Sequence, residues 1–147
     1  MNKENLKKVL LAMHENTVSE LQEKVDTTHS IVDIDEDDTH DPDDYSHQYE
    51  SGELEQLMRT QLNKAKKSLD FLKTIDFSEK TSAEMGAYVE TNKFNFFVGF
   101  ASVPFDVEGK HIIGVSANSP IYTVMLGKKE GDDFSYNGVN YEIISIN

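Results

Sequence analysis

Twelve consecutive residues of this chain hold eight carboxylates. The segment DIDEDDTHDPDD, residues 33–44, contains Asp33, Asp35, Glu36, Asp37, Asp38, Asp41, Asp43 and Asp44. His40 is its only possible cation. Crowded carboxylates repel one another, which raises their proton affinity and favours a cation that relieves the repulsion. The residue types therefore point to metal chemistry with a hard divalent cation such as Mg²⁺ or Ca²⁺.

The acidic segment allows more than one interpretation. Blocks of like charge are usually solvated and have no specific ligand. A calcium loop is an alternative, because oxygen-bearing residues starting at Asp33 follow much of the twelve-residue EF-hand pattern. Two demanding positions depart from that pattern: Asp38 stands where the turn needs glycine, and Asp44 stands where a glutamate normally binds with both oxygens. A third possibility is that a long arm delivers the carboxylates into a cavity, where they share a metal ion.

Two predicted helices flank the acidic segment, and each carries an apolar seam with alternating steps of three and four residues. This spacing is typical of packed helices. The first seam comprises Leu6, Leu10, Met13, Thr17, Leu21, Val25 and Thr28. The second comprises Leu54, Met58, Leu62, Ala65, Leu69 and Leu72. Pro42 and the dense carboxylates disfavour helix between the seams. The sequence therefore predicts an antiparallel coiled-coil hairpin over residues 1–75, with an acidic loop at its tip at about 33–44.

Residues 76–147 have the composition of a small sheet domain. Stretches rich in aromatic and β-branched residues predict at least four strands, at 86–90, 94–100, 110–116 and 141–146. Asn137-Gly138 predicts a tight hairpin turn. The fold class predicted for the whole chain is α+β: the helical hairpin is followed by a small antiparallel sheet domain with one short helix.

The short helix of this domain is predicted from its end signals. In NSPIYTVMLG, Ser119 has the side chain of a helix N-cap, Pro120 suits the first helical position, and Gly127 would end the helix.

Composition excludes several classes of function. The net charge of −13 repels phosphate backbones, which disfavours autonomous nucleic-acid binding. The absence of cysteine suits a reducing compartment. The amino-terminal stretch is charged and periodic, unlike a signal peptide, and no apolar run approaches the roughly 20 residues that span a bilayer. We expect a soluble, cytoplasmic protein without a membrane partner.

The run SANSPIYTVMLGKKEGDDFSYNGVNYEIISI, residues 116–146, resembles the C-terminal domain of Gre-type transcript cleavage factors (GreA and GreB). The similar motifs are Ser-x-Asn-Ser-Pro-Ile, then Leu-Gly-Lys, then Gly-Asp. They fall here on Ser116, Asn118, Ser119, Pro120, Ile121, Leu126, Gly127, Lys128, Gly131 and Asp132. The order of parts is also similar, since those factors carry a coiled-coil hairpin before an FKBP-like domain.

The resemblance implies a partner and a way of binding it. The hairpin would enter the secondary channel of bacterial RNA polymerase, and the FKBP-like domain would dock on the channel rim through Asn118, Ser119, Pro120 and Ile121. The factor would act as a monomer and meet the nascent RNA 3′ end only within that complex. Basic residues partway along the arms, such as Lys24 and Arg59, could approach the RNA, but ordinary solvated helix faces paired with glutamate explain them better.

The implied chemistry is hydrolysis of backtracked RNA in the polymerase's own active site. Such a reaction uses two Mg²⁺ ions, one activating water and one stabilising the leaving oxygen. The factor would have no active site of its own and would supply carboxylate ligands to a shared Mg²⁺. The family tip reads approximately D-x-x-E-N-x-E-Y, and the nearest match gives Asp41 and Asp44 as the catalytic, metal-holding pair. The pairs Asp35/Asp38 and Asp38/Asp41 have the same separation, so Asp38 is a further candidate ligand.

The tip also departs from the family pattern. The Asn-x-Glu-Tyr continuation is absent, and the second carboxylate is the shorter aspartate. Some Gre homologues with an altered, aspartate-rich tip inhibit polymerase. An inhibitor or regulator that acts through the same channel is therefore the alternative function.

Overall fold

The computed structural model describes the backbone of residues 1–36 and 42–147 and the side chains of residues 1–28 and 52–147. The chain groups into two units. One unit comprises Met1–Leu10 together with Thr74–Asn147, and the other comprises Leu11–Lys73. The first ten residues therefore belong with the sheet domain, although the seam pattern predicted them as the start of the hairpin.

Two long helices precede the sheet, as the seam pattern predicts. Helix α1 spans Lys3–Glu36 and helix α2 spans Pro42–Thr74. Both extend further into the acidic segment than the predicted loop at 33–44 allows. Proline is tolerated at the first helical position, because its missing N–H is one that a helix start leaves without a partner anyway. Pro42 therefore begins α2 instead of interrupting a helix.

Burial along the two seams is uneven in the second unit. Val25 and Thr28 of α1 are buried, and so are Leu62 and Leu69 of α2. Leu54, by contrast, is 45% exposed. The apolar periodicity thus selects the inward face of each helix, while some of its predicted members remain open to solvent.

A six-stranded sheet follows the helices, in the spatial order β3-β4-β2-β1-β6-β5. The strands are β1 Tyr88–Thr91, β2 Asn95–Val98, β3 Ser102–Val107, β4 Lys110–Val115, β5 Asp133–Tyr136 and β6 Val139–Ile146. A short helix, α3, spans Pro120–Met125 between β4 and β5. The α+β class and the single short helix of this domain are confirmed.

The sheet is mixed, so the prediction of an antiparallel sheet is wrong at one pair of strands. Strands β2 and β4 are parallel, with Phe96 opposite Ile113 and Val98 opposite Val115. After β2 the chain skips the neighbouring position in the sheet and forms β3 at the edge. It then turns back through the β3–β4 hairpin, and β4 fills the skipped position beside β2. Because this return reverses the chain a second time, β4 runs in the direction of β2. Only the choice of strand neighbours decides this, and no local pattern encodes it.

The edge position of β3 explains why it was missed in the sequence. Pro104 lies inside β3 and lacks the N–H that an interior strand needs, but an edge strand tolerates it. The hairpin turn predicted between β5 and β6 is confirmed. Asn137 has φ 51° and Gly138 has φ 75°, as a two-residue turn with a positive φ at both positions requires.

Each face of the sheet is covered by a different part of the chain. Helix α3 lies against the face whose core comprises Ala83, Ala87, Val89, Phe96, Val98, Val115, Met125, Phe134, Tyr141 and Ile143. Alternation along β1 and β2 places Tyr88 and Phe97 on the opposite face. There the ring of Phe77 stacks on Phe97 with their centroids 5.1 Å apart. The Nζ atom of Lys7 in α1 lies 5.7 Å from the centre of the Phe77 ring.

Polar contacts join the start of α1 to the β3–β4 hairpin. Asn2 caps the helix, since its Oδ1 accepts a hydrogen bond from the backbone N–H of Glu4 at 2.9 Å. The Glu108 carboxylate accepts one hydrogen bond from the Asn5 side chain at 2.9 Å and another from the Asn2 backbone at 3.3 Å. These hydrogen bonds, with the nearby amino-terminal charge, lower the pKa of Glu108.

Candidate functional site

The predicted Mg²⁺ ligands fall on the acidic segment. Asp38 and Asp41 lie outside the residues that the structure describes. The backbone of Asp44 belongs to the first turn of α2, and its side chain lies outside the described part. Within the described residues, no three histidine, aspartate or glutamate side chains converge as a metal site. The macrodipole favours acidic residues in a first helical turn, which suits the position of Asp44.

The predicted docking residues surround the start of α3, and their local geometry is as predicted. The Ser119 Oγ accepts a hydrogen bond from the Tyr122 backbone N–H at 3.3 Å, which makes Ser119 the N-cap. Pro120 is the first residue of the helix. At the other end the Leu126 N–H donates to the Tyr122 carbonyl, and Gly127 follows with φ 77°. Both end signals in the sequence therefore define a real helix.

The four predicted docking residues differ in accessibility. Asn118 and Pro120 are exposed, and Ser119 is half-buried at its capping position. Ile121 is partly buried, and its side chain packs against the core beneath α3. Asn118 and Pro120 thus present the accessible part of this set, while Ser119 and Ile121 also hold the helix in place.

Two exposed apolar side chains next to this set were missed in the sequence. Val124 is 37% exposed and Leu126 is 53% exposed. Val124 lies one helical turn after Pro120, so the two share a face. The signal was present, because both residues fall inside the run that carries the family resemblance. We call the exposed residues Asn118, Pro120, Val124 and Leu126 the α3 surface.

The remaining motif residues serve the backbone of the domain. The Gly127 N–H donates to the Ala83 carbonyl at 2.9 Å, and the Ala83 N–H donates to the Lys128 carbonyl at 2.8 Å. The Asp132 carboxylate accepts a hydrogen bond from the Lys129 N–H at 2.9 Å. The Leu-Gly-Lys and Gly-Asp motifs therefore stabilise the segment that joins α3 to β5.

A shallow groove of about 370 Å³ lies on the helical unit. Its lining residues are Glu20, Glu23, Lys24, Thr27, Thr28 and Met58. Arg59 is the next residue after Met58, and it forms an ion pair with Glu55 one turn away at 2.7 Å. Lys24 and Arg59 are exposed, as solvated helix faces require.

No protein-family model and no curated protein matches the chain. Among the described residues, no helix is both long enough and apolar enough to cross a bilayer.

Proposed function

We propose that this protein is a Gre-type transcription elongation factor. It binds bacterial RNA polymerase in the cytoplasm as a monomer and inserts an acidic tip into the secondary channel. There Asp41 and Asp44, with Asp38 as a further candidate ligand, share Mg²⁺ with the polymerase and stimulate its intrinsic cleavage of backtracked RNA. In this proposal helices α1 and α2 form the coiled-coil hairpin, and the sheet domain that follows them is the FKBP-like docking domain.

The observation that supports this function best is the order of parts along the chain. Helices α1 and α2 contain 34 and 33 residues, and the acidic segment lies where one ends and the other begins. At ~1.5 Å per residue each helix is about 50 Å long. In an antiparallel arrangement the carboxylates would sit at the far end of a thin arm, which is the shape needed to reach a deep active site.

The α3 surface supports the proposed docking on the channel rim. Asn118 offers an amide, and Pro120, Val124 and Leu126 offer exposed apolar area beside it. Apolar area with a few polar groups at its edge is the usual composition of a protein–protein contact. In this proposal Ser119 and Ile121 contribute by fixing the start of α3.

The proposed chemistry needs no active site on the factor itself. Mg²⁺ is commonly held by one or two carboxylates, with substrate phosphates and waters completing its octahedral shell. A carboxylate pair from the factor would complete the shell of the loosely held second ion and orient the attacking water.

Transcript cleavage on backtracked complexes of the cognate polymerase tests the function directly. Wild-type protein is compared with the Asp41→Ala/Asp44→Ala double variant and with Asp70→Ala, which removes an exposed carboxylate elsewhere on α2. We expect rapid shortening of the RNA by wild type and by Asp70→Ala. The double variant should lose the stimulation by at least about 100-fold, as expected when a metal ligand set is removed. Stimulation that persists in the double variant would move the metal pair to other carboxylates of the segment.

The aspartate-rich tip favours inhibition of polymerase as a second candidate function. Occupation of the channel and unproductive chelation of the metal would slow elongation without cleaving RNA. Slower elongation by wild type, with no cleavage, would replace the stimulator by this inhibitor. If wild type has no effect on either reaction, polymerase regulation is refuted. A micromolar Ca²⁺ affinity of the free protein would then support the calcium-loop interpretation.

The docking surface is tested by polymerase binding. Val124→Glu places a charge in the α3 surface, and Val103→Glu places the same charge on β3, where Val103 is 71% exposed. We expect at least about a tenfold weaker affinity for Val124→Glu only, because burying an unpaired charge in an interface costs more than about 1.4 kcal/mol. Equal affinities of the two variants would exclude Val124 from the contact.

A further inference from the structure

Lys3, the first residue of α1, is buried in an unusual way for a lysine. Its exposed fraction is 8%, and no other Lys, Arg, Asp or Glu is as buried among the described side chains. A buried ammonium group is costly unless other groups replace the hydrogen bonds it loses to water. The contacts of its Nζ atom therefore indicate what this residue does.

Three main-chain oxygen atoms surround the Nζ atom of Lys3. It donates hydrogen bonds to the carbonyl oxygen of Gly86, to the main-chain oxygen of Asn147 at 3.0 Å and to the carbonyl oxygen of Ser78 at 3.4 Å. Ser78 belongs to the connection after α2, Gly86 precedes β1, and Asn147 follows β6. One side chain thus ties the start of a helix to three separate segments of the sheet domain.

The number of donors matches the number of acceptors. A primary ammonium group has three N–H donors and no acceptor. The Asn147 main-chain oxygen also accepts a hydrogen bond from the Tyr88 N–H at 3.0 Å. The three main-chain oxygens define a site for an ammonium group, and we call it the carbonyl cage.

Charged side chains near the carbonyl cage influence the pKa of Lys3, while the main-chain oxygens remain its hydrogen-bond acceptors. Asp76 forms its ion pair with Lys80 at 2.8 Å. Burial and the Lys80 charge lower the pKa of Lys3 to about 8, while Asp76 and Glu79 oppose that shift. At pH 7 the amine therefore still carries its proton, and all three donors are present.

We propose that the carbonyl cage is a binding site for a primary alkylammonium group, which Lys3 fills as an internal ligand, and that this binding locks the first turn of α1 to the sheet domain. In this proposal selection rests on N–H donors directed at the three main-chain oxygens, so a cation without N–H groups does not fill the site. This inference does not depend on the proposed role in transcription.

Chemical rescue of Lys3→Ala tests the cage. Alanine keeps only Cβ, so n-propylammonium supplies the missing three carbons and the ammonium group. We expect the melting temperature of Lys3→Ala to fall by about 5–10 °C, because buried carbonyls lose their donors. Addition of about 100 mM n-propylammonium chloride should recover several degrees of that loss by mass action. Tetramethylammonium chloride at the same ionic strength has no N–H and should recover none.

Two further variants separate the cage from general effects of charge. Lys8→Ala removes an exposed lysine of the same helix, and its melting temperature should not respond to n-propylammonium. Lys3→Met keeps a side chain of similar length without donors, so it should be destabilised and should resist rescue. A Lys3→Met protein as stable as wild type would overturn the proposal, and so would equal rescue by the two salts.

The same comparison holds if Lys3→Ala does not fold without a ligand. The yield of folded protein after refolding in n-propylammonium is then compared with the yield in tetramethylammonium. A higher yield in n-propylammonium supports the cage, and equal yields contradict it.

Discussion

Gly114, in the middle of β4, allows a quantitative test of the sheet packing. It lies between two strands, paired with Phe97 of β2 on one side and with Ser102 of β3 on the other. A Cβ atom at this position would lie 2.7 Å from the Ser102 backbone nitrogen and 2.8 Å from its Oγ. It would come closer still to the Phe100 carbonyl oxygen. Because two of these atoms are backbone, Gly114→Ala forces β3 to move away from β4.

The size of the effect follows from opposing contributions. Overpacking of this kind costs about 1–3 kcal/mol, and each ladder hydrogen bond that lengthens costs about 1 kcal/mol more. Alanine lowers the conformational entropy of the unfolded chain, which offsets about 0.5–1 kcal/mol of this destabilisation. We expect Gly114→Ala to lower the free energy of unfolding by about 3 kcal/mol, which corresponds to about 9–12 °C in melting temperature for a chain of this size.

Two other glycines supply matched controls. Gly109 has φ 75°, but a Cβ atom added there would meet no described heavy atom within 4 Å. Gly109→Ala should therefore lower the free energy of unfolding by about 1 kcal/mol, which is the cost of holding alanine in the left-handed conformation. Gly52 lies inside α2, and an added Cβ would also have no described neighbour within 4 Å. Gly52→Ala should stabilise the protein by about 1 kcal/mol through helix propensity.

Urea unfolding followed by near-ultraviolet circular dichroism measures these differences. Four of the six tyrosines lie in residues 76–147, so this signal reports mainly on the sheet domain. The steric reasoning is refuted if Gly114→Ala is no more destabilising than Gly109→Ala. Gly52→Ala is followed by far-ultraviolet circular dichroism, because its effect falls on a helix.

Three further changes have defined outcomes. Glu108→Gln should make the protein less stable near pH 7. The pKa of Glu108 is lowered in the folded protein, so the ionised carboxylate contributes its full stabilisation above the ordinary glutamate pKa near 4.5. This stabilisation is lost as the pH falls through the lowered pKa, so the urea midpoints of the two proteins should converge in acid. Ser119→Ala should cost about 1 kcal/mol by leaving the Tyr122 N–H without its cap, whereas Ser119→Asp should retain most of the stability. Phe77→Ala should cost about 3–4 kcal/mol, because its ring stacks on the buried Phe97, and Phe77→Leu should cost less.

Some features of this protein follow from short stretches of sequence. Ser119 and Pro120 begin α3, and Asn137-Gly138 makes the β5–β6 turn, because each depends on the dihedral angles and hydrogen bonds of a few neighbouring residues. The two long helices follow from apolar periodicity for the same reason. The candidate docking region was also found in this way, since its motif is contiguous in the chain.

Accessibility within the candidate site depended on the tertiary structure. The sequence grouped Ile121 with Asn118 and Pro120, but the core beneath α3 takes up part of the Ile121 side chain. Val124 and Leu126 were not predicted as docking residues, yet both side chains are exposed. A helix of six residues has too few turns for periodicity to define its inward face, so packing against the sheet decides it.

By itself the sequence determined the two long helices, the ends of α3, the approximate positions of four of the six strands, and the concentration of carboxylates around the end of α1 and the start of α2. The tertiary structure alone decided that β2 pairs in parallel with β4, that β3 takes the edge, and that Lys3 joins α1 to the sheet domain. The physical reason is the distance along the chain over which each kind of interaction acts. Caps, turns and periodicity act over a few residues, whereas strand neighbours and the contacts of Lys3 bring together positions as far apart as 3 and 147, which only the burial of both sheet faces selects.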